Sequence, residues 1–198
     1  MNTEAWFATP VYNTMVREES LESIQKDFEL AFNDLKAKES FDVVGDWKTT
    51  LFSDPKFDNN LLKDYAIKSF QIELDFHIKQ YLSQVGFMVY PKLAYSIATS
   101  WMTLSRKGHY GHIHSHGASD LSGVYYFKTS SDDGDIFFET PNKLLQSSFC
   151  FNHMHSRAYF KPQVGKLLLF PGWLEHGTQT NTTDNERVSV SFNIHFNR

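Results

Sequence analysis

Residues 187–196 read RVSVSFNIHF, and the period of two in this stretch decides the fold. Val188, Val190, Phe192, Ile194 and Phe196 fall on one side of an extended chain, and Arg187, Ser189, Ser191, Asn193 and His195 on the other, because successive Cβ atoms of a strand point to opposite faces. One side must pack and the other stays polar. Working back from it, short apolar or alternating runs recur as far as about residue 92, separated by Gly, Pro, Asn and Asp. They are LAYSIATSWMTL (93–104), LSGVYYFK (121–128), DIFFE (135–139), SFCFN (148–152), RAYF (157–160), KLLLF (166–170) and EHGTQT (175–180). Strands of this length and spacing predict a sandwich or barrel, here a jelly-roll β-helical core.

Upstream the period changes to that of a helix. Leu21, Ile24, Phe28, Phe32 and Leu35 line one face of Glu18–Lys38, and Ile67, Phe70, Leu74, Ile78, Tyr81 and Val85 form a second stripe ended by Gly86. An extended piece, WFATPVY at 6–12, precedes the first helix, and a strand-like DVVGDWKTTLF at 42–52 lies between the two. The expected class is mixed but mainly β: one domain over 1–198, with a helical N-terminal buttress (1–90) against the β core (91–198).

Composition narrows the function. The chain has 198 residues, 18 of them Phe, enough to bury a core without structural metals, so a metal here would serve function first. A net charge of −4 with scattered Lys and Arg argues against nucleic acid and leaves a small molecule, peptide or protein as substrate. Cys150 is the single cysteine, read as a small buried residue, and excludes an internal disulfide. With no signal peptide near Met1 and no run long enough to span a membrane, a cytoplasmic location is expected. A homodimer stays open.

Histidines carry the chemistry. GHYGHIHSHG at 108–117 holds His109, His112, His114 and His116, and imidazole is the commonest metal ligand among side chains. In an extended run His112, His114 and His116 share a face, and an open zinc, iron or manganese site takes two such ligands plus a third from a partner strand. His176, in FPGWLEHG at 170–177, is the candidate third. His153 and His155, in FNHMHSR, form a competing pair without a further partner downstream. Eleven residues after His176 stands Arg187, whose guanidinium makes sense inside a barrel wall if it meets a carboxylate, with Ser189 adding a hydrogen bond. Glu175 is expected to be exposed, Asp132, Asp133 and Asp135 to form a solvated turn, and Trp173 to pack in the core or a loop.

HSHGASDLSGVYY (114–126), FPGWLEH (170–176) and ERVSVSFN (186–193), in that order, resemble the 2-oxoglutarate/Fe(II)-dependent dioxygenase superfamily, and most nearly a group of oxygenases of marine bacteria and phages. The resemblance implies a double-stranded β-helix holding Fe(II) at one mouth. By position, His114 and His176 match iron ligands, and Arg187 with Ser189 matches the pair that holds the distal carboxylate of 2-oxoglutarate. Tyr125, Tyr126 and Asn193 are placed at the cosubstrate pocket, with Trp101 and Thr103 walling it. His116 stands where the superfamily has Asp or Glu. It is expected to ligate directly, with Asp120 the rival second ligand and a His112–His114 pair a third arrangement. The implied reaction is hydroxylation of a C–H bond with release of succinate and CO2. Two other readings are a three-histidine zinc or iron enzyme that uses no 2-oxoglutarate, and a catalytically silent β-helix used for binding or assembly. Substrate contacts are expected from loops 105–113 and 140–156.

Overall fold

A computed structural model of the chain describes residues 8–44, 47–52, 59–86, 94–147, 149 and 156–197. The readings of Cys150, of the His153/His155 pair and of SFCFN apart from Phe149 fall outside these residues. Eleven described strands run β1 Tyr12–Met15, β2 Asp42–Val44, β3 Trp47–Thr49, β4 Tyr95–Ser105, β5 Gly111–His114, β6 Leu121–Lys128, β7 Ile136–Glu139, β8 Arg157–Phe160, β9 Lys166–Pro171, β10 His176–Thr178 and β11 Arg187–Phe196. The helices are α1 Glu18–Ala37, α2 Leu61–Asp64 and α3 Lys68–Gln84. No described helix is long and apolar enough to cross a membrane.

The strands make two antiparallel sheets, one of seven in the order β1-β9-β6-β11-β4-β3-β2 and one of four in the order β5-β10-β7-β8. Their inner faces pack through Val124, Tyr126, Leu168 and Phe170 from the large sheet and Ile136 and Phe138 from the small one. The outer face of the large sheet is covered by α1 and α3, where Val188, Val190, Phe192 and Ile194 of β11 join Phe28, Phe32, Phe70 and Leu74 of the helices. Covering both faces explains why β6 reads as a nearly continuous apolar run. Tyr125 and Phe127 point to the helices, with the Phe28 and Tyr125 ring centroids 5.3 Å apart, while Val124 and Tyr126 point between the sheets. At Gly123 a Cβ would sit 2.4 Å from the Phe192 ring, so only glycine lets that ring lie over β6.

The N-terminal segment is more than a helical buttress. β1 extends the large sheet by pairing with β9, and the 42–52 stretch is a two-stranded addition to β4 rather than one strand. α2 has four residues, too short for a periodic signal; Asn60 starts it by accepting from the Lys63 N–H (3.3 Å) and the Ser100 hydroxyl (2.8 Å). Val85, placed on the apolar stripe of α3, is exposed.

Where β1 leads into α1, a buried polar cluster fastens this segment to α3. Glu73 has no exposed surface and accepts from the Arg17 backbone N–H (2.7 Å), Arg17 Nη2 (2.8 Å), Ser20 Oγ (2.9 Å) and His77 Nε2 (3.1 Å). Tyr12 OH lies 2.9 Å from His77 Nδ1, so the imidazole satisfies both nitrogens as a neutral tautomer that accepts from Tyr12 and donates to Glu73.

Candidate metal centre

β5 and β10 are paired with His114 directly opposite His176, which turns a sequence separation of more than sixty residues into a cross-strand neighbour. His116 lies two residues beyond the end of β5, where the chain leaves the small sheet. Its backbone N–H donates to the Gly172 carbonyl (2.8 Å), anchoring that turn to the PGW turn just before His176. The ligand atoms of His114, His116 and His176 all lie within 4.8 Å of one another. Ring centroids are 4.4 Å apart for His114 and His176, 5.0 Å for His114 and His116, and 5.2 Å for His116 and His176.

Orientation is fixed from behind. Nδ1 of His114 donates to the His112 carbonyl at 2.8 Å and Nδ1 of His176 to the Leu174 carbonyl at 2.9 Å, which leaves Nε2 of each ring free. Phe170 packs on His176 at 4.8 Å and Trp101 on His116 at 5.6 Å. Burial, reinforced by the neighbouring histidines, lowers His176 to about 3 and His116 to about 4, so at neutral pH these rings are uncharged, the form that binds a metal. Three converging imidazole nitrogens fit a borderline divalent metal such as iron or zinc, with coordination positions left for other ligands.

Gly172 holds the turn that carries His116 in place by having no side chain. A Cβ there would lie 2.2 Å from the Ser119 carbonyl oxygen and 3.0 Å from that of His116. Backbone cannot yield as a side-chain tip would, so Gly172→Ala must displace the 116–119 turn. The expected result is a fall in iron affinity of about 10–100-fold, measured by competition with a chelator, as for other losses of a ligand's support.

The three rings sit in a cavity of about 410 Å³ between the sheets, which Arg187, Ser189 and Tyr126 also line. Arg187 is 4% exposed, and among the described residues no carboxylate pairs with it. Its Nη1 donates to the Asp133 and Gly134 carbonyls (3.0 and 2.5 Å) and its Nη2 to Thr178 Oγ1 (3.1 Å). Burial lowers its pKa, and attraction to Tyr126, Asp133 and Asp135, none of them in an ion pair with it, offsets that only in part. Ser105, directly opposite Arg187 on β4, also lines the cavity, and its buried hydroxyl has no hydrogen-bond partner. An unpaired guanidinium beside an orphaned hydroxyl fits an oxygen-rich anion. A wider, more open depression of about 920 Å³ lies against Phe137 and Arg157 of the small sheet and holds none of the three clustered histidines.

Other expected site residues lie elsewhere. Tyr125 is corrected by strand alternation: it faces the helices, donating nothing to the cavity and instead meeting Gln25 at 2.9 Å, while Tyr126 is the tyrosine beside Arg187. Asn193 is off the cavity wall as well, its amide accepting from Ser122 Oγ (2.8 Å) and donating to Thr99 Oγ1 (3.0 Å) to tie β6 and β4 across β11. Asp120 is not in the ligand cluster, for its carboxylate accepts the Phe196 N–H at 2.8 Å and closes the end of β11. Trp101 and Thr103 do wall the cavity, as does His112 near its mouth. Glu175 pairs with Lys143 at the surface, and Trp173 is 53% exposed, so it is not a core residue.

Asp133 overturns the reading of a solvated turn, being fully buried although Asp132 beside it is exposed and pairs with Lys161. Ser105 continues the 101, 103, 105 alternation that marked Trp101 and Thr103, a signal available in the sequence. Thr178 follows His176 by two along β10 and shares its face by the same alternation, whereas Asp133 had no such signal, since its role comes from contacts between distant loops.

No curated protein matches the chain in sequence. Residues 99–193 match the family described as "Putative 2OG-Fe(II) oxygenase". Among solved structures, the non-heme α-ketoglutarate-dependent epimerase SnoN from nogalamycin biosynthesis superposes with a TM-score of 0.67 at 13% identity, over 94% of this chain and 78% of its own. HygX from Streptomyces hygroscopicus, solved with nickel and 2-oxoglutarate, gives 0.59 at 13% identity over 94% and 82%. A Pseudomonas putida prolyl-4-hydroxylase gives 0.57 at 12% identity over 96% and 94%. The two sheets are therefore a double-stranded β-helix, the fold of these structures, and residues 99–193, just under half of the chain, are similar to the 2OG-Fe(II) oxygenase family.

Proposed function

We propose that this chain is an Fe(II)- and 2-oxoglutarate-dependent dioxygenase that hydroxylates a C–H bond of a small molecule, peptide or protein in the cytoplasm. One observation carries the reading: a buried arginine in no carboxylate ion pair among the described residues shares a cavity with three converging imidazoles. In this role His114, His116 and His176 hold the metal through ring nitrogens, and Arg187 takes the distal carboxylate of 2-oxoglutarate with Ser189 and Ser105 as hydroxyl partners. Bound together, iron and 2-oxoglutarate supply the oxidising chemistry, consuming dioxygen and releasing succinate and CO2.

The protein's contribution is placement and exclusion of water. Three neutral ligands leave the full charge of a divalent ion, which a dianion offsets, so cosubstrate and metal support one another's binding. Trp47, Leu51, Phe52, Trp101 and Tyr110 wall the rest of the cavity and give the substrate a dry, largely aromatic place to meet the metal.

Anaerobic addition of Fe(II) and 2-oxoglutarate is expected to produce a visible metal-to-ligand charge-transfer band, and His176→Ala to lose both the band and the iron. Iron bound stoichiometrically without any band on adding 2-oxoglutarate would reject the cosubstrate and leave a three-histidine enzyme that works without it.

A further inference from the structure

Resting on the reading of Arg187 as the cosubstrate's anchor, we infer that Asp133 is the positioning residue that aims its guanidinium, acting through the backbone of the β6–β7 loop. Asp133 is fully buried; its charge attracts Arg187, but its carboxylate makes no direct ion pair with the guanidinium. Instead its Oδ2 accepts the Ser130 N–H (2.6 Å) and Thr129 Oγ1 (2.9 Å), and its Oδ1 accepts Ser130 Oγ (2.5 Å) and Thr183 Oγ1 (2.6 Å). Burial raises its pKa, but these four donors outweigh that and leave it below the ordinary value, so it is ionised at neutral pH.

The four bonds join two loops. Thr129 and Ser130 follow β6, and Thr183 belongs to the β10–β11 connection that delivers Arg187 itself. Held this way, residues 133 and 134 turn both carbonyls onto Nη1 of Arg187. Gly134 makes the turn possible: its φ is +90°, and a Cβ would lie 2.5 Å from the Gln179 carbonyl oxygen. Nη1 is thereby occupied, Nη2 is tied to Thr178, and the guanidinium plane is fixed relative to the cavity before any ligand arrives. A guanidinium free to swing would give up this preorganisation.

Donor chemistry separates this role from that of a mere charge. Only the Ser130 backbone N–H is obliged to donate; the partners of Oδ1 are both hydroxyls and can accept instead. In Asp133→Asn the amide oxygen can therefore keep the Oδ2 bonds while its NH2 donates to Ser130 Oγ and Thr183 Oγ1. Asp133→Ala cannot replace any of the four, and Thr183→Val removes the link between the loops together with the hydroxyl's local bonds to Asn181 Oδ1 and the Asn185 N–H.

The test is calorimetric titration of 2-oxoglutarate into the full-length Zn(II)-loaded protein, with zinc affinity and melting temperature measured in parallel. Asp133→Ala is expected to weaken 2-oxoglutarate about 10–100-fold with zinc affinity unchanged, Thr183→Val to weaken it by a smaller factor, and Asp133→Asn to stay within about threefold of wild type. With Fe(II), the loss in Asp133→Ala should appear in KM for 2-oxoglutarate and not in kcat. Wild-type affinity in both Asp133→Ala and Thr183→Val would overturn the positioning role, as would an Asn variant as weak as the Ala variant. Failure of the wild type itself to bind 2-oxoglutarate would instead overturn the assignment of Arg187 on which the inference rests.

Discussion

Replacing Arg187 by alanine is expected to weaken 2-oxoglutarate binding by about 30-fold to several thousand-fold, the range set by truncating one partner of a buried charge pair at about 2–5 kcal/mol. The fold should tolerate the change. Arg187 is a buried cation satisfied by two carbonyls and one hydroxyl, and its attraction to Tyr126, Asp133 and Asp135 offsets its desolvation only in part, so its removal relieves more than it strands. A large loss of cosubstrate affinity beside an unchanged or raised melting temperature separates a binding residue from a structural one. Arg187→Lys should rescue little, because a point-charge ammonium cannot reproduce a planar fork already held by three acceptors. Titration calorimetry and thermal melts on the same samples check both halves. Undiminished affinity in the alanine variant would remove Arg187 from the cosubstrate site.

The second large effect concerns stability and lies far from the histidines. Glu73→Gln should destabilise the protein by about 2–3 kcal/mol, measured by urea unfolding. A wholly buried pair broken on one side costs about 3–5 kcal/mol, but Arg17 is 40% exposed and water can reach it when its partner is gone. The same cluster sets an acid limit. Burial alone would raise Glu73, but the Arg17 side chain and backbone N–H and Ser20 override it and hold the carboxyl at about 2, against an ordinary value of 4.5. A depressed carboxylate stabilises the fold fully above its unfolded value and loses that contribution as pH falls from about 4.5 towards 2, at most about 3 kcal/mol in all. His77 acts in the same direction: burial lowers its pKa, so the fold prefers the neutral ring and stability declines as pH drops below the ordinary 6.5. Thermal melts from pH 7 to pH 3 should show a fall in melting temperature that Glu73→Gln makes shallower. A melting temperature independent of pH over that range would show that the cluster contributes nothing.

The sequence by itself determined the parts of this protein that depend on local period and on ordered motifs. Alternation placed β11 at its observed limits, since a strand packed on one side repeats every two residues, and short runs between turn residues placed β6 and β8. His114, His116, His176 and Arg187 were legible because metal and anion chemistry restricts residue type, and only a few positions of the right type occur in the right order. Tertiary structure decided which of those residues meet, and whether a polar face looks at water or at a cavity. Arg187, Ser189 and Ser191 could have been a solvated strand face; they line a cavity only because the small sheet stands opposite. Tyr125 and Tyr126 are adjacent and chemically identical, and only the helices packed on one side of β6 assign one to the core and the other to the site. Asp133 shows the limit most clearly: DDGD at 132–135 has the composition of a surface turn, and what buries its second residue is a loop returning from fifty residues away with Thr183. Such loop-to-loop contacts leave no periodic trace in either segment, which is why the position of the arginine could be read from the sequence and the device that aims it could not.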